Sequence, residues 1–234
     1  MRRLLVPLAL FVFLGVLGLA WLRMHDADPP AAAPAAAVPA AALPAAAVAT
    51  AGGAPLIDKQ PPVVSTRRFD PAAPPPGMPP LHPGEAAECD SNFLSGAVVG
   101  GQPRRTGADT ATVTITQIKV TLQLVITIWV PEDVTQKILE HEEGHRQISE
   151  SYYATADKLA EQIAAPYIGR QLTVTGADLD LEANKLLQQI GSDITAEYNK
   201  QLNPDPVQLR YDDITDHSRN DISAKDAVAQ VTIR

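Results

Sequence analysis

The residues best suited to chemistry lie in the stretch His141-Glu142-Glu143-Gly144-His145. On an α-helix, side chains four residues apart lie one above the other, so His141 and His145 can present two imidazole nitrogens to a single Zn²⁺ ion. Glu142 follows the first histidine directly, close enough to accept a proton from water on the metal without being a ligand. The spacing therefore predicts two metal ligands and a general base, with Glu143 pointing away from the metal.

These roles require a helix around the motif. Apolar residues and both histidines recur at steps of three and four, as expected of one helical face: Val134, Ile138, His141, His145, Ile148 and Tyr152. Pro131 suits a first helical position, and no further proline occurs until Pro166. The sequence predicts one helix over residues 132–164. Gly144 weakens this helix by about 1 kcal/mol relative to alanine, but it also lets a metal or another chain segment approach the backbone.

A third ligand must come from elsewhere in the chain, which has five histidines. His25 and His82 fall in segments that we expect to lie outside the folded domain, which leaves His217 as the candidate. It lies in the polar stretch 211–220, which we predict to be a loop. Together with the two motif histidines it would complete a three-histidine sphere, leaving the fourth coordination position open for water, as a catalytic zinc requires.

Other residues offer alternatives at this site. Tyr211 could donate a hydrogen bond to the oxyanion that forms when water attacks a carbonyl group. Glu182, on a later helix, could take the place of His217 as the third ligand. A fourth protein ligand, such as Asp213 or Asp216, would close the coordination sphere and favour a structural metal over a catalytic one.

The chain divides into three parts by composition. Residues 1–25 contain an uncharged apolar run that follows two arginines, which predicts a membrane anchor with a cytoplasmic N-terminus or a cleaved signal segment. Residues 26–84 are rich in alanine and proline, which predicts a disordered tether without helices or strands. Residues 85–234 remain as one folded domain. Its lone cysteine, Cys89, is expected to be buried, free or bridged to another chain.

Two further elements are predicted within the folded domain. Residues 118–128 alternate apolar and polar side chains with many β-branched residues, and residues 112–116 alternate on the opposite parity, which predicts a strand with a bulge near Gln117. An apolar stripe at helical spacing predicts a second, supporting helix over residues 178–201. The net charge of −8 leaves no basic stripe for nucleic acid, so we expect no nucleic-acid partner.

The motif at His141 after a strand, with the downstream pattern Tyr211-Asp212-x-x-Thr215-x-His217, resembles a bacterial family of uncharacterised exported proteins described as secreted zinc-dependent proteases. The resemblance covers about residues 110–220, and Ser218 stands where the family pattern has glycine. It implies a zincin-like α+β domain, in which an antiparallel sheet packs on the active-site helix and a second helix supports it. In metallopeptidases an edge strand beside this helix pairs with an extended peptide substrate.

The sequence as a whole therefore predicts an exported zinc endopeptidase that is tethered to the bacterial inner membrane and faces the periplasm, or is secreted after cleavage. Zinc held by His141, His145 and His217 would lower the pKa of a bound water, and Glu142 would accept its proton and return it to the leaving amine. The expected partners are a peptide or protein substrate and the membrane. The alternative is an envelope binding module that zinc stabilises without catalysis.

Overall fold

The computed structural model of this protein describes residues 53–81 and 84–232. The predicted anchor or signal segment, the first half of the predicted tether, and His25 and His82 lie outside the described residues. Within those residues, none of the helices combines the length and the apolar character that crossing a membrane demands.

A long strand, β4 (Thr110–Pro131), is the centre of the sheet. β3 (Glu88–Arg105) pairs with β4 over almost its whole length and so occupies one of its two edges. The other described strands must therefore use the opposite edge of β4: β1 (Leu56–Lys59), β2 (Val63–Phe69) and β5 (Gln171–Thr175). Every strand of this sheet consequently depends on β4 for its backbone hydrogen bonds.

The α+β class is confirmed, but the predicted antiparallel sheet is wrong. β1 and β2 run parallel to β4, while β3 and β5 run antiparallel to it. The physical reason is the order of the strands: the chain reverses direction between β2 and β3 and again between β3 and β4, and two reversals leave β2 and β4 parallel. The zincin-like arrangement that the resemblance implied required the antiparallel sheet, so it is not retained.

The predicted tether, residues 26–84, is also wrong in its second half. The segment Val63–Phe69 is rich in β-branched residues and contains no proline, and it pairs with β4 along its full length. Pro61 and Pro62 fall between β1 and β2, where a missing backbone N–H breaks no ladder. The folded domain therefore begins near Leu56 rather than at residue 85.

The face of β4 that packs into the core changes in the middle of the strand. Odd-numbered residues are buried up to Ile115, and even-numbered residues are buried beyond it. The register with β3 shifts at this point, because Gly100 pairs with Gln117 whereas Gly101 pairs with Ile115. Thr116 is the extra residue of this bulge, so the bulge predicted near Gln117 is confirmed.

Five α-helices follow or flank these strands within the described residues: α1 (Gln136–Ala154), α2 (Ala156–Ala164), α3 (Leu179–Gln201), α4 (Asp205–Thr215) and α5 (Ala224–Thr232). A short 3-10 helix, Ala165–Tyr167, follows α2. The supporting helix predicted over 178–201 is confirmed as α3, with Asp178 as its N-cap. The single helix predicted over 132–164 is wrong. β4 continues to Pro131, α1 begins only after its N-cap Thr135, and the backbone breaks at Thr155.

Two close contacts fix the helices on the sheet. The hydroxyl oxygen of Tyr153, near the end of α1, lies 2.6 Å from the carbonyl oxygen of Gln60 and 3.0 Å from that of Leu122, so α1 is attached to the β1–β2 side of the sheet. Gly191 brings α3 against β3, since a Cβ at this glycine would lie 2.6 Å from the carbonyl oxygen of Ala97. Both contacts leave little freedom in how the helices sit.

The contact at Gly191 gives a stability prediction. Gly191→Val places methyl groups against the β3 backbone, which cannot move aside, so we expect the free energy of unfolding to fall by about 1–3 kcal/mol in urea denaturation. Gly96→Val is the matched control, because a Cβ at Gly96 would meet nothing within 4 Å and valine suits a strand. Equal stability of the two variants would contradict the proposed packing of α3 on β3.

Candidate metal centre

Helix α1 presents the motif histidines as the sequence predicted. The side-chain oxygen of Thr135 accepts a hydrogen bond from the backbone N–H of Ile138, which fixes the start of the helix. His141 and His145 then lie one turn apart, and their Nε2 atoms are 3.2 Å from each other. Two nitrogens at this separation can bind one ion, because neighbouring ligands of a tetrahedral zinc lie about 3.3 Å apart when each bond is about 2.0 Å.

Helix α4 adds a carboxylate that the sequence analysis did not select. Asp212 Oδ1 lies 3.3 Å from His141 Nε2 and 2.9 Å from His145 Nε2. These separations match the edge of the same coordination polyhedron. Asp212 is therefore a candidate ligand beside the two motif histidines.

His217 joins the cluster from the turn after α4. Its Nδ1 lies 3.8 Å from Asp212 Oδ1 and 3.2 Å from Glu85 Oε1. His141, Asp212 and His217 each offer one ligand atom, and these atoms lie within 4.8 Å of one another, so the group can hold a metal ion. His145 borders this group through its contacts with His141 and Asp212.

The polar atoms of this cluster fit a cation better than they fit one another. Asp212 Oδ1 and His217 Nδ1 are buried and have no hydrogen-bond partner of suitable geometry. Buried polar groups normally have partners, and each one without a partner needs an explanation. Polar atoms that lie close together without aligned hydrogen bonds can direct their lone pairs at one point, as the ligands of an ion do.

The pKa values of Asp212 and the histidines reflect how close these groups lie to one another. Burial raises the pKa of Asp212, but the adjacent His141 and His145 outweigh this effect and hold the pKa well below its usual range. Burial lowers the pKa of His145, and the Asp212 carboxylate more than offsets this and raises it to about 9. Burial dominates at His141 and lowers its pKa. A bound cation would take the place of a proton on His145 as the positive charge beside Asp212.

The turn that carries His217 has an unusual backbone. Asp216, His217 and Ser218 all have positive φ angles, of 47°, 50° and 65°. Left-handed conformations cost a residue with a Cβ roughly 1–2 kcal/mol each. Glycine would avoid this cost at each of the three positions. The turn that places His217 3.8 Å from Asp212 therefore contains backbone strain.

Tyr211 has a different place from the one predicted. Its side chain is fully buried, its hydroxyl donates to the backbone carbonyl oxygen of His141, and its ring stacks on that of His141 with centroids 5.0 Å apart. The hydroxyl would overlap any Cβ at Gly144, so this glycine allows the close approach of another segment, as expected. Tyr211 therefore supports the ligands from behind, and it does not line the open cleft.

The remaining predicted ligands lie away from the cluster. Glu182 pairs with Lys185 in the first turn of α3, Asp216 pairs with Arg219, and Asp213 is exposed. Glu143 points away from the motif histidines, as predicted, and pairs with Arg146.

The loop predicted over residues 211–220 is wrong for its first half, because α4 continues to Thr215. Its high polarity suggested a loop, yet Gln208, Tyr211, Asp212 and Thr215 follow the three- and four-residue spacing of one helical face. Recognition of that spacing would have identified Asp212 as a candidate.

Glu142 faces an open cleft beside the cluster. It is only 4% exposed, and no hydrogen bond to its carboxylate is present among the described residues. The cleft has a volume of about 540 Å³, and its walls include His141, His145, Asp212 and the start of β3. Burial raises the pKa of Glu142 to about 8, although His145 acts in the opposite direction. A carboxylate in this environment is well matched to exchange protons near neutral pH.

Cys89 also lines this cleft and has a free thiol. Burial raises its pKa to about 12, with a further contribution from the charge of Glu142. The thiol is consequently protonated at neutral pH and is a weak nucleophile. The position of Cys89 therefore gives no support to a thiolate mechanism in this cleft.

No family model, curated protein or solved structure matches this chain. The resemblance to secreted zinc-dependent proteases therefore stays a prediction.

The position of Asp212 gives the first prediction for this centre. Asp212→Asn removes the charge that faces the histidines, so we expect the affinity for Zn²⁺ to fall at least 10–100-fold, the loss typical of even an outer-shell partner. Affinity would be measured by competition with a chromophoric chelator. Asp213→Asn, one residue away on the exposed side of α4, is the control and should bind as tightly as the wild type. Equal affinity of both variants would remove Asp212 from the ligand set.

The strained turn gives a second prediction. The backbone at Ser218 is left-handed, and Ser218→Gly removes the steric cost of that conformation. This gain in stability exceeds the loss caused by the greater conformational entropy of the unfolded chain, so the free energy of unfolding should rise by about 0.5–1 kcal/mol. The same substitution at Ser192, exposed in the middle of α3, should lower it by about 0.5 kcal/mol because glycine disfavours helix. Loss of stability in both variants would show that Ser218 is not strained.

Proposed function

We propose that this protein is an exported, zinc-dependent peptidase. The observation that supports this most is that the metal-ligand cluster and the buried, unpartnered carboxylate of Glu142 share the wall of one open cleft. A purely structural metal has no need of a cleft or of an adjacent base. The same arrangement is what hydrolysis of a carbonyl compound by activated water requires.

Zinc is the metal that the donors favour. The cluster offers imidazole nitrogens and one carboxylate, whereas calcium and magnesium prefer sets made of oxygen ligands. His141, Asp212 and His217 would hold the ion, and His145 is close enough to join them. Zinc bound there supplies a Lewis acid that lowers the pKa of water toward neutrality.

Residues of the chain would move the proton and hold the metal ligands in position. Glu142 is positioned to take a proton from water in the cleft and to return it to a leaving amine, because its carboxylate is adjacent to the ligands and is not engaged elsewhere. Asp212 holds His145 in place through a contact of 2.9 Å. Tyr211 keeps His141 in position from behind through its stacked ring.

The cleft suits an extended polypeptide. The strand predicted to pair with substrate, residues 118–128, is central and has both edges occupied. β3 instead pairs only with β4 among the described residues, and its first residues line the cleft. The other edge of β3 therefore offers backbone groups to which a peptide could add as a strand, beside the candidate metal centre.

The location of the enzyme rests on the N-terminal sequence alone. Two arginines followed by a long apolar run support export, with either a retained anchor in the inner membrane or release after cleavage. The residues between this run and β1 would then separate the catalytic domain from the membrane.

A second candidate is a zinc-stabilised binding module without catalysis. The observation that favours it is the carboxylate of Asp212: with His141, His145 and His217 it makes four potential protein ligands, enough to close a tetrahedral sphere. In that case Glu142 would take part in no reaction, and its substitution would change neither the metal content nor any activity.

One pair of variants tests the peptidase. Glu142→Gln keeps the size of the side chain but removes its basicity, so hydrolysis of an unfolded protein should fall by about 10²–10⁴-fold. Zinc content, measured by atomic emission, should stay stoichiometric. Glu143→Gln is the control: this neighbour pairs with Arg146 away from the cleft, and its loss should leave the rate within about twofold of the wild type. Undiminished hydrolysis in Glu142→Gln would rule out the proposed role of Glu142. A zinc-loaded wild type that cleaves nothing would favour the binding module.

A further inference from the structure

Gln208 lies on α4, four residues before Asp212 and therefore on the same face of the helix. Its side chain is partly buried and reaches the opposite side of His145 from the one that contacts Asp212. Nothing in the sequence analysis singled out this residue.

The orientation of the Gln208 amide follows from its contacts. Nε2 lies 3.2 Å from the backbone carbonyl oxygen of His145 and 2.9 Å from Ser149 Oγ. A carbonyl oxygen can only accept a hydrogen bond, so the amide nitrogen must face it. The amide oxygen, Oε1, is then the atom that lies 2.7 Å from His145 Nδ1.

This orientation determines the tautomer of His145. Oε1 of Gln208 has no proton to donate, so His145 Nδ1 must carry one and donate it. The lone pair of the neutral ring is consequently on Nε2, the atom that lies 3.2 Å from His141 Nε2 and 2.9 Å from Asp212 Oδ1. Gln208 thus directs the metal-binding nitrogen of His145 toward the cluster.

The amide is itself held by a chain of hydrogen bonds that reaches the sheet. Ser149 is fully buried on α1, and its hydroxyl accepts from Gln208 Nε2 and donates to Ser91 Oγ on β3 at 2.9 Å. Both protons of the amide nitrogen are used, and the oxygen accepts from the ring. An amide fixed through three contacts cannot flip without breaking all of them.

We propose that Gln208 is a positioning residue of the metal centre, which fixes His145 as the Nδ1–H tautomer and so presents Nε2 to the ion. This inference rests on the proposed metal-dependent function. Partners of this kind orient metal-binding histidines, and their loss commonly weakens metal affinity by roughly 10–100-fold.

The test compares three variants of the full chain, each titrated with Zn²⁺ against a chromophoric chelator. Gln208→Leu keeps the volume but removes every hydrogen bond, and it should bind Zn²⁺ about 10–100-fold more weakly than the wild type. Gln208→Glu retains an acceptor for Nδ1–H and should recover most of the affinity. Gln189→Leu, at an exposed glutamine of α3 that bonds only Asp193, is the control and should not change affinity.

A second readout reports on the ring directly. In ¹⁵N-histidine-labelled, zinc-loaded wild type, the Nδ1 proton of His145 should be protected from exchange with water, and in Gln208→Leu this protection should be lost. A structural role alone would lower the melting temperature without changing this signal.

The outcomes separate the inference from the function on which it rests. Wild-type affinity in Gln208→Leu, or equal losses in the leucine and glutamate variants, would overturn the tautomer role. A wild type that binds zinc but cleaves no peptide would overturn the proposed peptidase activity and leave the proposed role of Gln208 intact. A wild type that takes up no zinc would overturn both.

Discussion

The candidate metal centre depends on the close packing of α4 against α1 at Gly144. Because glycine has no Cβ, Tyr211 can lie directly on the helix between the two histidines, with its hydroxyl bonded to the backbone of His141. This contact sets the rotation and height of α4. Asp212, the next residue, is then carried to within 3.3 Å of both imidazoles. A shift of α4 by the thickness of one methyl group would separate the carboxylate from the histidines.

The sheet provides the fixed frame for this packing. β4 pairs with all of the other described strands, and it leads through a short turn into α1, so the histidine helix begins at a defined point at the end of the central strand. Tyr153 attaches the far end of α1 to the sheet. β3 then forms one wall of the cleft and contributes Ser91 to the network that holds Gln208. The sheet and the candidate site therefore share residues.

How much of this the sequence could predict depended on whether a feature was local. The histidine spacing, the cap at Asp178 and the parity change near Gln117 are each encoded within a few residues, and the structure confirms the helix at the motif, the start of α3 and the bulge. The parallel pairing of β1 and β2 was missed because it joins residues some sixty positions apart, and their proline-rich surroundings concealed two short strands. Asp212 was missed because α4 is polar on most faces, and a short polar stretch is as typical of a loop as of an exposed helix.

The candidate ligands lie far apart in the sequence. Asp212 and His217 follow His141 and His145 about seventy positions later in the chain. A nascent chain has made both histidines of α1 long before it has made α4. The candidate centre can therefore assemble only once α4 has been made, and a chain truncated before α4 would carry the motif without its centre.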